Sequence, residues 1–316
     1  MSDFPLVSIV TPSFNQVRFL EATLRSVLDQ DYPSIEYLVV DGASTDGSVD
    51  ILRRYADRLT WWVSEKDSGQ SEAINKGLRR AHGQIVGWLN SDDIYLPGAI
   101  SAAVAAFRSS PTAAVVYGDA LAIDADGRPF NVMHARQYTL VDLMAFNIIC
   151  QPAAFMRRSV LEQVEYLNPA YNLLMDTLLW MNMARVAPVV YVQQIWAAAR
   201  YHDQAKNRTR GAAYGREARR LIDDLRSRPT FSEIIAANEK RIMAGVNRFD
   251  AFYLTDTGQP CSALRAYGHA FRLHPPTALG DWKHILLAFL TLLGLRKVRE
   301  LFDQLRIRIL TSHKQI

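Results

Sequence analysis

Val7-Ser8-Ile9-Val10-Thr11-Pro12-Ser13-Phe14-Asn15 is the stretch on which the fold turns. An apolar run rich in β-branched residues gives way to small and polar residues, which reads as a strand from Leu6 to Thr11 entering a turn. The pattern recurs. Ile35 to Val40 runs into Asp41-Gly42-Ala43-Ser44-Thr45-Asp46-Gly47, Thr60 to Ser64 reads as a third strand, and Ile85 to Leu89 runs into Asn90-Ser91-Asp92-Asp93. Between these strands apolar residues recur at helical spacing: Phe19, Leu20, Leu24, Val27 and Leu28, then Val49, Leu52, Ala56 and Leu59, then Ala73, Ile74, Leu78 and Ala81. Alternating strands and helices predict an α/β fold with a parallel sheet and crossover helices. Asn15 and Ser44 or Thr45 are expected as helix N-caps.

Working outward, Pro97 opens a helix through Phe107, Ala113 to Tyr117 is a further strand, and Asp124 to Gly127 a turn. Residues 135 to 185 mix loop and helix, with a clear helix from Leu173 to Val186, and Val189 to Val192 returns to strand. Past about residue 205 the pattern is wholly helical, so the polar stretch Asp203 to Arg210 is taken as a boundary between residues 1–205 and a helical appendage, 206–316. Cys261 to Pro275 resembles half of a tetratricopeptide-type hairpin, but a single unit is no repeat.

With 49% hydrophobic and 22% charged residues the composition is that of a globular protein, and a net charge of +4 over 316 residues is too mild to indicate nucleic-acid binding. Cys150 and Cys261 are the only cysteines, which excludes a disulfide framework or thiolate zinc site and fits a cytoplasmic setting. No basic and apolar leader is expected in Met1 to Pro12, and the longest apolar run, Ile285 to Leu295, has roughly half the about 20 residues of a spanning helix.

The polar clusters fall at the carboxyl ends of strands, where open α/β sheets bind ligands. Asp41 could accept hydrogen bonds from a base or ribose, or cap the next helix. Gly42 and Gly47 have phosphate-loop spacing, yet Ser48 stands where that loop needs Lys. Asp92 and Asp93 are adjacent carboxylates after an apolar strand, a costly arrangement that Mg²⁺ or Mn²⁺ would neutralise; capping the helix near Pro97 is the alternative. Asp176, inside an apolar helix, has the setting of a general base with a raised pKa, or of an ion pair with Arg157 or Arg185.

From Val7 to Pro97 the sequence resembles the family 2 glycosyltransferases of GT-A fold. The matching blocks are Val7 to Asn15, Val39-Val40-Asp41-Gly42-Ala43-Ser44-Thr45-Asp46-Gly47-Ser48, Asp67-Ser68-Gly69-Gln70-Ser71-Glu72-Ala73-Ile74-Asn75-Lys76-Gly77, and Gly87-Trp88-Leu89-Asn90-Ser91-Asp92-Asp93. The resemblance implies a nucleotide-diphospho-sugar transferase with a Rossmann-like mixed sheet flanked by helices. It implies donor binding by Thr11, Pro12, Phe14, Asn15, Asp41, Ser44, Asp67, Gly69, Gln70, Asn75, Lys76, Asn90 and Ser91, with Asp41 on the base and the metal held by Asp92, helped by Asp93. One departure stands out: the family's D-x-D reads Asn90-Ser91-Asp92 here, so its first acid is an amide. More thinly, Ile149-Cys150-Gln151-Pro152-Ala153 resembles an acceptor-side loop of a polysaccharide or O-antigen branch, Leu174 to Trp180 the block carrying the catalytic base, and Arg200-Tyr201-His202 a segment whose His approaches the metal. That implies acceptor contacts from Gln151, Pro152 and Trp180, Asp176 as base, and His202 as metal ligand.

The expected reaction is inverting transfer of a sugar from a nucleoside diphosphate, with Mn²⁺ or Mg²⁺, to a saccharide or lipid-linked saccharide acceptor in cell-surface polysaccharide or glycolipid assembly. A nicotinamide dehydrogenase lacks its G-x-G-x-x-G spacing here; a non-catalytic sugar-nucleotide sensor or scaffold, and a nucleotidyltransferase, are the rivals. Trp282 to Leu310 is amphipathic and basic, which suits an anionic membrane at its cytoplasmic face, packing on the catalytic domain, or a homodimer.

Overall fold

A computed structural model of the chain describes residues 4–206 and 210–295. The chain forms two compact units: Met1–Gly127, Val132–Gln137 and Ile149–Arg200 make the first, and Arg128–Asn131, Tyr138–Ile148 and Tyr201–Ile316 the second.

The first unit is built on a mixed sheet. Its opening half alternates β1 (Val7–Ser13), α1 (Val17–Leu28), β2 (Ile35–Asp41), α2 (Ser48–Tyr55), β3 (Trp61–Ser64), α3 (Gln70–Arg80) and β4 (Ile85–Trp88). β1 lies between β2 and β4, and β2 carries β3 on its far side, all parallel. Leu20, Leu24 and Val27 of α1 pack with Val7, Ile9 and Val39 of the sheet in one apolar core. Gly77 lets α3 lie close on β1, since a Cβ there would sit 2.3 Å from a Val10 methyl. This close approach holds the start of α3 at the sheet's carboxyl rim.

Beyond β4 come β5 (Ile94–Tyr95), α4 (Ala99–Ser109), β6 (Val115–Ile123), β7 (Pro129–Met133), α5 (Leu140–Met144), β8 (Ala154–Arg157), α6 (Arg158–Gln163), α7 (Met175–Val186) and β9 (Val189–Arg200). The sheet order is β3-β2-β1-β4-β8-β6-β9-β5, with β7 paired to β6. β8 is antiparallel to both of its neighbours. Ala154-Phe155-Met156-Arg157 holds no β-branched residue, so this strand is absent from the sequence reading.

Two strands are longer than their sequence pattern. β6 continues past Tyr117 because Gly118 allows a bulge against β9: an added Cβ would lie 2.4 Å from the Gln194 carbonyl oxygen, and the register shifts there. β9 likewise continues past the polar Gln193-Gln194 and ends at Arg200. The expected caps are also corrected. Asn15 precedes α1 at φ 52° and Gly47 precedes α2 at φ 100°. The early amides of α1 are bound by the loop after β2 instead, Gln16 donating to Ser48 Oγ at 3.2 Å and Val17 to Asp46 Oδ2 at 2.8 Å. Caps supplied from about 30 residues away are invisible to a local reading.

The second unit is helical. It contains α5, α8 (Gly211–Arg226), α9 (Pro229–Asp256, broken at Asn238), α10 (Pro260–Leu273), α11 (Pro275–Leu279) and α12 (Trp282–Leu292). Small residues bring its helices together: Ala244, Ala270 and Ala278 form one buried contact, and Ala251, Ala266 and Tyr267 another. Arg248 donates to the carbonyls of Ala145 and Phe146 at 3.3 and 2.8 Å, which fixes segment 138–148 to α9. Residues 296–310 of the expected amphipathic tail lie outside the described residues.

Candidate functional site

In-register pairing sets Ser13, Asp41 and Ser64 side by side at the carboxyl ends of β1, β2 and β3. Asp41 is fully buried, and its carboxylate accepts from Ser44 N–H at 2.9 Å, Ser44 Oγ at 2.5 Å and Ser64 Oγ at 2.6 Å. Hydrogen bonds to an ionised oxygen are the strong kind and compensate its burial. Asp41 therefore shapes the loop that follows it. That loop is tied to the one after β1: Asn15 N–H donates to Ser44 Oγ at 2.8 Å, and Thr45 N–H to Asn15 Oδ1 at 2.9 Å. Burial works against the Asp46 carboxylate, but hydrogen bonds from Ser48 Oγ and from the Val17 and Ser48 amides outweigh it and lower its pKa.

Gly42 marks where a third loop joins. A Cβ at this position would stand 2.8 Å from Asp67 Oδ2 and 3.2 Å from the Phe14 ring, so Phe14, Gly42 and Asp67 crowd one spot. Phe14 is 61% exposed, leaving an aromatic face open beside these loops. Asp67 Oδ1 accepts from Gly69 N–H at 2.9 Å, and Gly69 adopts φ +135° just before α3, a conformation that favours glycine. Thr11 is turned inward, its hydroxyl paired with Tyr37 Oη at 2.9 Å, and Pro12 is buried within β1.

α3 and the segment after β4 meet through amides. Gln70 Nε2 donates to Asn90 Oδ1 at 2.8 Å. Asn90 Nδ2 donates to Gln151 Oε1 at 3.1 Å and approaches Asp93 Oδ2 at 3.3 Å, while Gln151 Nε2 donates to the Trp88 carbonyl at 2.8 Å. Gln151 thus buttresses β4, with Pro152 buried next to it. Asn75 is spent differently, clamping the Leu167 backbone through Nδ2 at 2.8 Å and Oδ1 at 3.0 Å. Lys76 reaches Glu65 at 2.7 Å.

The two acids part company. Asp93 is buried and accepts from the Arg200 amide at 2.8 Å; burial, then the charge of Asp92, holds its carboxyl well above the usual carboxylate range. Asp92 is half-buried, and its carbonyl accepts from Arg200 Nε at 2.8 Å; Ser91 between it and Asn90 is buried. Arg200 further donates through Nη1 to the carbonyls of Asp124 and Ala125 at 3.1 and 3.3 Å and lies over the Phe19 ring at 5.0 Å. This hub is a functional residue the sequence reading did not assign. Its signal was its place in the Arg200-Tyr201-His202 block, but its partners depend on the full length of β9.

Asp176 stands in the first turn of α7, half-buried, with Oδ1 accepting from Thr177 N–H at 2.6 Å. Asp176 lies inside the expected helix, which starts at Met175, two residues after the apolar pattern begins. Next to Asp176, Met175 Sδ receives Ser71 Oγ at 2.9 Å, which joins α7 to α3. Trp180 is buried and stacks on Trp88 at 5.7 Å between centroids and 13° between planes. Burial first, and then the charges of Asp93 and Asp176, push the Cys150 thiol above its ordinary value. His202 belongs to the second unit, where it is buried and its carbonyl accepts from Ala205 N–H at 3.0 Å.

Residues 8–165 match the family described as Glycosyl transferase family 2. The chain belongs to that family. Among its relatives, a putative teichuronic acid biosynthesis glycosyltransferase, TuaG, of Bacillus subtilis is 47% identical over 92 residues, covering 28% of this chain and 36% of the relative. Chondroitin synthase of Escherichia coli is 25% identical over 193 residues, covering 60% and 28%. The chain spans about a third of the length of the first curated relatives it matches. S. aureus TarS 1-349 in complex with UDP-GlcNAc superposes with a TM-score of 0.63 at 16% identity, over 92% of both chains. The mannosyltransferase PcManGT of Pyrobaculum calidifontis in complex with GDP-Man and Mn²⁺ gives 0.59 at 22% identity, over 92% of this chain and 87% of that one. The family 2 chain has the GT-A fold, as its sequence implied.

Among the described residues, no group of three or more His, Cys, Asp or Glu side chains is arranged to hold a metal. In the segment after β4 this family 2 chain has one half-buried carboxylate, Asp92, beside the inward-turned Asp93. A hard oxygen donor of this kind suits Mg²⁺ or Mn²⁺ completed by phosphate oxygens and water.

Proposed function

We propose that the chain is a metal-dependent, inverting glycosyltransferase that moves a sugar from a nucleoside diphosphate to an acceptor hydroxyl in the assembly of a cell-surface polysaccharide or glycolipid. The observation that carries this reading is the amide bridge Gln70–Asn90–Gln151, which ties the start of α3 to the segment after β4 beside Asp92 and Asp93. A single displacement requires a bound donor and a base positioned for the acceptor hydroxyl.

Phe14 offers a face for the donor's base, beside the loop that Asp41 and Asp67 shape. Asp92 would hold Mn²⁺ or Mg²⁺ on the diphosphate. When bound, the ion supplies Lewis-acid stabilisation of the leaving phosphate. Asp176 takes the proton of the acceptor hydroxyl as that oxygen attacks the anomeric carbon; the bond from that carbon to the diphosphate breaks, and configuration inverts. The acceptor is a saccharide or lipid-linked saccharide, which places the enzyme in the cytoplasm at the inner face of the membrane.

The neighbours' ligands make UDP-GlcNAc and GDP-mannose the first donors to try. Slow hydrolysis across a panel of nucleoside-diphosphate sugars, with Mn²⁺ and with Mg²⁺, should reveal one donor consumed only when metal is present. Donor that binds yet yields no product, even with oligosaccharide acceptors, would instead favour a sugar-nucleotide sensor, the reading that the amide at Asn90 best suits.

A further inference from the structure

We infer that the outward face of α12 docks on the surface of an anionic lipid bilayer. The residues at helical spacing on this face are large, apolar and open to solvent: Trp282 is 57% exposed, Leu286 44%, Phe289 50% and Leu293, just past the helix, 68%. Leu279, in α11 just before it, is exposed as well. A contiguous apolar surface of this kind marks a site of association.

The exposure is not the fraying of a loose end. The opposite face of α12 is already packed within its unit: Ile285 lies against the cluster of Ala251, Ala266 and Tyr267, and Ala288 is fully buried. The helix start is pinned too. Asp281 accepts from Tyr267 Oη at 2.8 Å and pairs with His284 Nδ1 at 2.8 Å, and the His284 ring leans on Phe252. With one face committed to the fold, the other needs an occupant from outside.

Charge selects the occupant. Lys283 Nζ stands 5.9 Å from the Trp282 ring, and the sequence after Leu295 carries Arg296, Lys297, Arg299, Arg306, Arg308 and Lys314 against only Glu300 and Asp303. The positive charge of the segment that follows directly in sequence makes a second, equally positive copy a poor partner and an anionic headgroup surface a favourable one. At 11 residues, α12 is about 16 Å long, half of a bilayer's apolar core of about 30 Å, so the helix lies on the membrane instead of crossing it. An exposed apolar stripe with Lys283 beside it, followed in sequence by clustered Lys and Arg, suits an interfacial helix.

The inference deepens the proposed transferase reading, because a lipid-linked acceptor would be presented at that surface, but its test does not depend on catalysis. The full chain is to be sedimented with phosphatidylcholine vesicles with and without about 30% phosphatidylglycerol, alongside the double variant Leu286→Glu, Phe289→Glu and the single variant Leu293→Glu. Circular dichroism melts will show that each variant is folded. The chain should pellet with the anionic vesicles, less with the neutral ones, and the double variant should bind at least about tenfold more weakly, with Leu293→Glu between the two. A chain that stays in the supernatant with anionic vesicles, or variants that bind as well as the parent, would overturn the assignment. So would sedimentation velocity showing a dimer that the same substitutions dissociate, which would give this face to a second copy. Donor hydrolysis in vesicle-free solution should be unaltered by the substitutions; if the parent hydrolyses no donor, the transferase reading fails and the vesicle result stands.

Discussion

Gln70 Nε2 donates to Asn90 Oδ1 across 2.8 Å, tying the first turn of α3 to the segment that follows β4. Its importance lies in what the same amide does with its other end, which donates to Gln151 and faces Asp93. An amide can accept at one atom and donate at the other, so Asn90 satisfies a donor and acceptors at once. In the family pattern this position is an acid. Here its polar atoms are engaged within the fold, so the proposed metal role falls to Asp92.

Asn90→Ala removes both ends of that bridge and strands Gln70, Gln151 and Asp93 groups in a half-buried site. Unpaired polar groups in such places typically cost about 1–3 kcal/mol. Urea denaturation should show a loss of that order, with donor hydrolysis falling together with it. A variant of parental stability and activity would mean the bridge is incidental.

Arg200→Lys tests the hub beneath the two acids. Lysine keeps the charge but lacks the planar fork that serves the carbonyls of Asp92, Asp124 and Ala125 together. Turnover should fall by at least about tenfold, since an about 1 Å displacement of Asp92 is costly to a positioned site. Steady-state kinetics should show the change with the fold retained by circular dichroism.

Asp176→Asn should lower turnover by about 10² to 10⁴ and leave donor binding largely intact, the range expected of a lost general base. Turnover with the proper acceptor and donor titration by calorimetry separate the two quantities. Parental rates would remove Asp176 from the mechanism.

How much of this was legible in the sequence follows from distance along the chain. β1 to β4 and α1 to α3 announce themselves because each has a periodic apolar face, and the polar loops at their ends give away the rim. The split between Asp92 and Asp93 does not show, because it is decided by the Arg200 amide more than 100 residues away. β9 reads as ending at Val192 since Gln193-Gln194 break its pattern, yet its later half is what carries Arg200 to the acids. Asp176 reads as lying inside a helix, and α7 contains it, because the apolar pattern around it is periodic. Trp180 is expected as an acceptor contact, and its burial and stacking on Trp88 show a side chain packed in the interior.

Asp281 sets a pH dependence in the helical unit. Burial opposes its charge, but the hydrogen bond and charge of His284 and the Tyr267 hydroxyl outweigh this and hold its pKa below the ordinary 3.8. Its stabilising contribution is therefore complete above pH 3.8 and is lost as pH falls through the lower folded value. Asp281→Asn should be less stable than the parent by about 1–3 kcal/mol near neutrality, and the difference should shrink in acid. Urea melts from neutral to acidic pH provide the check; a difference that stayed constant would assign the role to packing.

Donor hydrolysis after removal of metal, measured on the parent and on Asp92→Ala side by side, tests the central claim. The parent should lose activity in chelator and regain it with Mn²⁺ or Mg²⁺, while Asp92→Ala should stay at least about 10²-fold lower with either ion restored. Full parental turnover in excess chelator would contradict the account at its root.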